Sequence, residues 1–150
     1  MTTELQFRVY GLPAQQGSKS VNRKTGRMFE QGQKTLYPWR KAVTEATKYA
    51  MAMNGFTMLE GPVHAHIIFY FPRPGYHFGT GRNAGVLKPD MPLYKVTKPD
   101  VDKLVRSTFD ALTIAKVWKD DSLAVKLTTS KVFDTLSGAS IRLTALAVTA

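Results

Sequence analysis

The sequence has no cysteine among its 150 residues, and this absence excludes several kinds of protein. Without thiols there is no disulfide framework, no cysteine-ligated zinc and no cysteine nucleophile. Long apolar runs are also missing, because the longest, residues 67–71, is far shorter than the roughly 18 residues that span a bilayer. The first residues show no apolar core typical of a signal peptide. These absences favour a cytoplasmic globular protein that has no membrane partner.

Acidic residues are scarce and unevenly placed. The chain has 11 Asp and Glu against 21 Lys and Arg, a formal charge of +10. Residues 1–99 contain 14 basic and 5 acidic residues, whereas five of the eleven acids fall between Asp100 and Asp121. A basic chain suits a polyanionic partner, because phosphate contacts supply most of the affinity for nucleic acids. The clustered aspartates would repel that partner unless a cation neutralises them.

The spacing of apolar residues predicts one α+β domain over residues 1–150. Alternation of apolar and polar residues predicts strands over residues 5–12, 62–71, 123–133 and 140–148. Apolar stripes at helical spacing predict helices over residues 38–53 and 99–113. The expected order is β-α-β-α-β-β, a mixed sheet with two main helices. We expect the last two strands to form a hairpin.

Two long segments lack such patterns. Residues 14–34 are basic and contain several glycines, which predicts a polar loop or a loosely held hairpin. Residues 72–97 combine prolines and glycines with cations and aromatic rings. A loop of that length is usually functional or disordered, and its composition suits a nucleic-acid contact. Both interpretations of residues 72–97 stay open on the sequence.

Five charged residues form the strongest chemical pattern. Asp100 and Asp102 begin the second predicted helix, and Arg106 follows Asp102 by one turn. Side chains two apart on a helix diverge by about 200°, so this pair converges on one ion only if Asp100 lies at the cap position. Asp120 and Asp121 enter the next strand, which can return Asp121 to the helix start. Carboxylates with phosphate are the usual ligands of Mg²⁺, and such ions activate water for phosphodiester hydrolysis.

The same residues allow a purely structural interpretation. Asp100 as a helix cap and an ion pair between Asp102 and Arg106 would explain the helix start without a metal. The chain would then be a non-catalytic, basic nucleic-acid-binding protein. An EF-hand is excluded, because no Asp-Gly continuation follows Asp102. From the residues alone, a metal-dependent nuclease and a binding protein both stay open.

Two linked motifs resemble a known family. Residues 98–112 read KPDVDKLVRSTFDAL, residues 117–127 read VWKDDSLAVKL, and a further lysine follows at Lys131. Together they resemble the RusA family of Holliday junction resolvases, most closely over residues 97–133. The resemblance implies a homodimeric, phage- or prophage-encoded endonuclease of the α+β class that cuts four-way DNA junctions. It also implies Mg²⁺ as the cofactor, with Mn²⁺ substituting, and no small-molecule cofactor.

The resemblance also implies roles for individual residues. Asp100, Asp102 and Asp121 match the three essential aspartates that bind the metal ion, and Asp120 matches a supporting position. Arg106 stands where the family commonly has an essential lysine near the phosphate. Arginine keeps the charge and can bind a phosphate with two hydrogen bonds, but it does not deprotonate and cannot serve as a general base.

Cations in several parts of the chain are candidates for DNA contact. They are Lys19, Arg23, Lys24, Arg27, Lys98, Lys103 and Lys131. Lys103 departs from the family pattern, which usually has asparagine there. For Lys131, which stands where the family often has a basic residue, a solvated strand lysine is an equal alternative. The sequence does not separate four-way junctions from flaps or forks as the substrate.

Overall fold

A computed structural model describes residues 3–17, 19–30 and 33–150. The strands and helices in these residues are β1 (Glu4–Tyr10), β2 (Lys19–Val21), β3 (Met28–Glu30), α1 (Gln33–Asn54), β4 (Val63–Phe71), α2 (Val101–Ile114), β5 (Ala124–Phe133) and β6 (Gly138–Ala145). The structure has the predicted mixed sheet and two main helices, in the predicted order, so the α+β class is confirmed. Strands β2 and β3 form a small antiparallel hairpin within the basic segment at residues 14–34.

Strand β4 lies at the centre of the main sheet, whose order is β1-β6-β4-β5. It pairs antiparallel with β6 and parallel with β5. The expected hairpin between the last two strands is therefore wrong. Strand β6 instead inserts between β1 and β4, where both of its edges are paired. The parallel β4–β5 pair requires a long crossover, which contains α2. The hairpin was wrongly predicted because apolar alternation does not show which strand pairs with which.

Both helices pack on one face of this sheet. The alternate residues of β4 that face them, from Val63 to Phe71, are buried. Trp39 of α1 lies with its ring centroid 6.5 Å from that of Phe69, and its indole N–H donates to the Thr108 hydroxyl of α2 at 3.2 Å. This contact ties both helices to the central strand. Helix α1 begins five residues before its predicted start because Leu36, also buried, extends the apolar stripe by one turn.

The long segment at residues 72–97 is ordered by specific contacts. His77 is buried, and its ring lies edge-on to those of Tyr76 and Phe133. The Phe133 N–H donates to the Leu93 carbonyl at 3.0 Å, and the Lys95 N–H donates to the Lys131 carbonyl at 3.1 Å. Residues 93–95 therefore run beside β5 and lead the chain to the start of α2. Within the described residues, no helix is long and apolar enough to span a membrane.

Candidate active site at the first turn of helix α2

Asp100 occupies the cap position immediately before α2. Its backbone is extended, with φ −77° and ψ 137°, and helical geometry starts at Val101. This is the arrangement that lets Asp100 and Asp102 point toward one ion. The Asp100 side chain makes no capping hydrogen bond. The Asp100 N–H instead donates to the side-chain oxygen Oε1 of Gln15 at 2.7 Å, so a residue distant in sequence holds the backbone here and the carboxylate is not used to cap the helix.

Lys131 reaches the same turn from strand β5. Its ammonium group donates to the carbonyl oxygens of Thr97 at 2.8 Å and Pro99 at 2.7 Å. Partial burial and, next, the nearby Lys95 lower the pKa of Lys131, whereas Asp100 acts in the opposite direction. The Lys131 ammonium is therefore held by backbone carbonyls, and its predicted contact with DNA stays a prediction. Lys131 points at the turn that leads into α2, where it fixes the backbone immediately before Asp100.

The ion pair that a structural interpretation requires is absent. Asp102 and Arg106 are exposed, and neither forms an ion pair with any described residue. Lys103 instead places Nζ 3.6 Å from Oδ2 of Asp100. An exposed pair of this kind contributes only about 0–1 kcal/mol. A ligand of higher charge can therefore displace Lys103 from Asp100 at little cost.

The two aspartates after α2 differ in their surroundings. The Asp120 carboxylate accepts a hydrogen bond from the Ser122 N–H at 3.1 Å. The Ser122 hydroxyl and then this backbone group lower the pKa of Asp120, so Asp120 serves as a local cap. Asp121 is exposed and begins the short 3₁₀ turn Asp121–Leu123, which contacts α2. This contact does not place Asp121 at the start of α2, so the expected return of Asp121 to the helix start stays a prediction.

The donor chemistry of these side chains fits a hard divalent cation. In the described parts of the chain, no three His, Asp or Glu side chains are already gathered closely enough to hold a metal. Mg²⁺, however, is usually held by one or two carboxylates together with water and substrate phosphate. Asp100 and Asp102 supply two carboxylates at one helix start, whereas the turn that begins at Asp121 contacts α2 without joining them in a group of three.

The basic N-terminal hairpin starts beside this site. The Ser107 hydroxyl donates to the Ala14 carbonyl at 2.6 Å, and the Gln16 N–H donates to the Lys103 carbonyl at 3.1 Å. Strand β2 begins three residues later, which at about 3.5 Å per residue is roughly 10 Å of chain. The base of the hairpin is therefore held next to the first turns of α2.

The predicted DNA-contacting cations are placed differently from one another. Arg23, Lys24 and Arg27 are exposed at the hairpin turn and make no ion pair with a described residue. Lys98 is exposed immediately before the α2 cap. The Lys19 side chain lies outside the part of the structure that is described. Exposed cations thus flank the aspartates on the hairpin and on the turn into α2.

Sequence reasoning missed Gln15 completely. Nothing in the local sequence relates this glutamine to a helix that begins 86 positions later, because its partner is a backbone N–H. Lys131 was found as a cation, but the backbone carbonyls that it contacts could not be read from strand alternation. Both residues act on backbone groups around Asp100 rather than on a substrate.

Carboxylates at one helix start with exposed cations nearby suit a surface that meets nucleic-acid phosphate together with a hard cation. The comparisons with known proteins identify the class as a nuclease family. The family model for endodeoxyribonuclease RusA matches residues 11–144, so the chain belongs to the RusA family. Membership implies an endonuclease that resolves Holliday junctions. The chain is also 29% identical over 135 residues to the uncharacterized protein YqaN of Bacillus subtilis (strain 168), which covers 86% of this chain and 87% of YqaN.

Proposed function

We propose that this protein is a Mg²⁺-dependent, structure-selective DNA endonuclease that resolves Holliday junctions by paired phosphodiester hydrolysis, with Mn²⁺ substituting for Mg²⁺. One observation carries the proposal. Asp100 at the helix start makes no capping hydrogen bond and pairs only weakly with Lys103, and Asp102 forms no ion pair with a described residue. Two solvent-accessible carboxylates so close together in a chain of +10 charge need another explanation, and a cation shared with phosphate supplies it.

The metal site would be formed by Asp100, Asp102 and Asp121, with Asp120 supporting the turn. A divalent cation at this position supplies Lewis-acid stabilisation of charge on a phosphate oxygen and makes water more acidic. The rest of the chemistry depends on this chain's own groups. The N-terminus of α2 presents its positive dipole end to a bound phosphate.

Arg106 is the best-placed cation for the scissile phosphate. It lies one turn after Asp102 on the same helix face, is exposed and has no ion-pair partner among the described residues. Its planar guanidinium can donate two hydrogen bonds to a phosphate and stabilise charge in the transition state. A permanently charged group orients and neutralises the phosphate, and it does not take up a proton.

Gln15 and Lys131 are positioning residues in this proposal. They hold the Asp100 amide and the two carbonyls just before it. Metal sites lose activity when ligand direction is left unsupported. These two side chains come from the N-terminal segment and from β5, so the site is assembled from three separate parts of the chain.

Paired cleavage would need two sites, and we infer a homodimer for that reason. A dimer with two-fold symmetry matches a junction of approximate two-fold symmetry and presents one site to each of two opposed strands. A supercoiled plasmid that extrudes a cruciform tests the pairing. Two coordinated cuts give a linear product, whereas a single cut relaxes the plasmid to a nicked circle.

The chain would act as one endonuclease domain in the cytoplasm of the cell or phage host.

A labelled four-way junction tests the activity itself. The protein is incubated with the junction, with a flap, with a fork and with a linear duplex of the same sequence, each with Mg²⁺, with Mn²⁺ and with a chelator. We expect symmetric cuts in the junction with either metal, 5′-phosphate and 3′-hydroxyl ends, and no cuts in the duplex. Binding without cleavage in both metals would make the chain a binding protein. Equal cleavage of flaps or forks would change the proposed substrate.

A further inference from the structure

The face of the main sheet that points away from the helices carries its own set of cations. We call it the open sheet face, and its principal residues are Arg8, His64, His66, Tyr70, Lys126 and Arg142. They come from all four strands of the main sheet. The strand register places Arg142 beside His66 and Lys126 beside His64. Each is half-buried or exposed. Glu4 is the acid that lies with them, so the surface is strongly positive.

Arg142 is held in a defined position. Its Nη2 lies 2.7 Å from Nδ1 of His66, and its Nε lies 3.8 Å from a carboxylate oxygen of Glu4. A guanidinium has donors only, so Nδ1 of His66 accepts the hydrogen bond in this contact. The remaining Arg142 donors can bind an acceptor on the same surface.

Arg8 is also fixed in place. Its guanidinium carbon lies 4.0 Å from the centroid of the Tyr70 ring, and its Nη2 donates to the Leu136 carbonyl at 2.9 Å. Tyr70 in turn shares a 3.0 Å hydrogen bond with the Ser140 hydroxyl. A long side chain held in this way loses little conformational freedom when it binds an anion. The sheet therefore presents two arginines that are already ordered.

The pKa of His64 is consistent with positive charge gathered on the open sheet face. Partial burial first, and then Lys126, His66 and Arg142, lower the pKa of His64. Lys126 is exposed and makes no ion pair with a described residue. These groups repel an additional positive charge and attract an anion. A polyanion lying across β5, β4 and β6 would relieve the repulsion.

We propose that the open sheet face binds the phosphodiester backbone of DNA and holds an arm of the branched substrate other than the strand being cut. The sheet itself separates this surface from Asp100 and Asp102, which lie on the helix side. Pairing with a second copy is the less favourable occupant, because Arg8, Lys126 and Arg142 would approach their own equivalents. The inference rests on the proposed function for the identity of the polyanion, but binding here needs no metal.

Salt dependence of binding in a chelator is the direct measurement. Fluorescence anisotropy with a labelled four-way junction, a short duplex and a single strand compares wild type with Lys126→Gln and with Lys126→Gln/Arg142→Gln. Each lost phosphate contact lowers the slope of log K against log salt by about 0.9 on duplex DNA. We expect a decrease of about 1 for the single variant and about 2 for the double variant. Lys116→Gln, an exposed lysine after the far end of α2, removes the same charge and should leave the slope unchanged.

The outcomes separate this surface from the active site. Reduced slopes in a protein that never cuts DNA would support the surface and refute the proposed cleavage. Normal slopes in a protein that cuts junctions would refute the surface alone. Conversion of a dimer to a monomer by Lys126→Gln, measured by sedimentation, would show an interface between copies and also overturn the inference. Arg142→Gln also loses its contacts to Glu4 and His66, so the thermal stability of the double variant is measured alongside its DNA binding. Lys126→Gln removes no such contact, and its binding data test the proposal without a change in stability.

Discussion

The first turn of α2 and the region that follows it use their aspartates in different ways. Asp110, two turns further along α2, lies 3.6 Å from Nη2 of Arg40 on α1, and Asp120 caps the turn after the helix through Ser122. Among the described residues, the carboxylate of Asp100 has one ion-pair partner, the half-buried Lys103, and that of Asp102 has none. Aspartates of similar sequence context are thus distinguished by whether the fold uses their charge. Those that it does not use are the candidates for chemistry.

The strongest way to break this comparison is to neutralise one aspartate in each region. We expect Asp102→Asn to lower Mg²⁺-dependent junction cleavage by at least about 100-fold, the scale on which a preorganised electrostatic group contributes. Junction binding should be kept or strengthened, because a negative charge beside the phosphates is removed. Asp110→Asn is the matched control and should cut normally. Equal losses in both variants, or failure of Asp102→Asn to fold, would support a structural role for Asp102.

The next largest effect should come from the support beneath Asp100. Lys131→Met leaves the carbonyls of Thr97 and Pro99 without their donor, so we expect a loss of about 1–3 kcal/mol in the free energy of unfolding. Cleavage should fall about 10-fold at saturating Mg²⁺, a loss typical of groups that support metal ligands. Denaturant unfolding and single-turnover cleavage measure the two effects. Lys131→Arg, which keeps donors and charge, should recover part of the cleavage, and a stability loss with unchanged cleavage would remove the positioning role.

A smaller effect is expected for the structural aspartate of α2. Asp110→Asn removes one partly exposed ion pair with Arg40, and such pairs contribute at most about 1 kcal/mol. Thermal unfolding at low and high salt measures it. The wild type should lose this increment as salt screens the pair, and the variant should be less sensitive to salt. A loss well above 1 kcal/mol would mean that Asp110 does more than pair with Arg40.

The smallest effect concerns the ionisation of Asp120. Hydrogen bonds from Ser122 lower the pKa of Asp120 below its ordinary value of 3.8, so the ionised form stabilises the fold. That contribution is present above pH 3.8 and is lost as the pH falls through the lower folded-state pKa. Ser122→Ala should move the pKa upward, toward the ordinary value. Carboxyl NMR titration measures the shift, and an unchanged pKa in Ser122→Ala would show that the hydroxyl plays no part.

Much of the fold was predictable because the buried faces of strands and helices place apolar residues at regular spacings in the sequence. The alternation in residues 62–71 corresponds to β4, and the stripe through Trp39 and Val43 corresponds to the buried face of α1. The position of β6 was not predictable. A strand that is buried on one face has the same alternation whether it pairs with its chain neighbour or with β1 and β4.

The site was predictable in part. Helix geometry required Asp100 to lie at the cap position if it shares an ion with Asp102, and the structure places it there, whereas the metal-binding roles of the aspartates stay a prediction. The contribution of Gln15 was hidden because it binds a backbone group far along the chain. The partners of Lys131 were hidden because they are backbone carbonyls in an irregular turn.

The sequence by itself determined the elements, the basic charge and the aspartates worth testing, because periodicity and residue chemistry are local properties. Only the tertiary structure decided which aspartates were already occupied. Ion pairs and caps such as Arg40 with Asp110 need side chains to meet across elements, and those meetings depend on packing. The same packing leaves Arg8 and Arg142 ordered on the open sheet face, and no local sequence pattern predicted that surface.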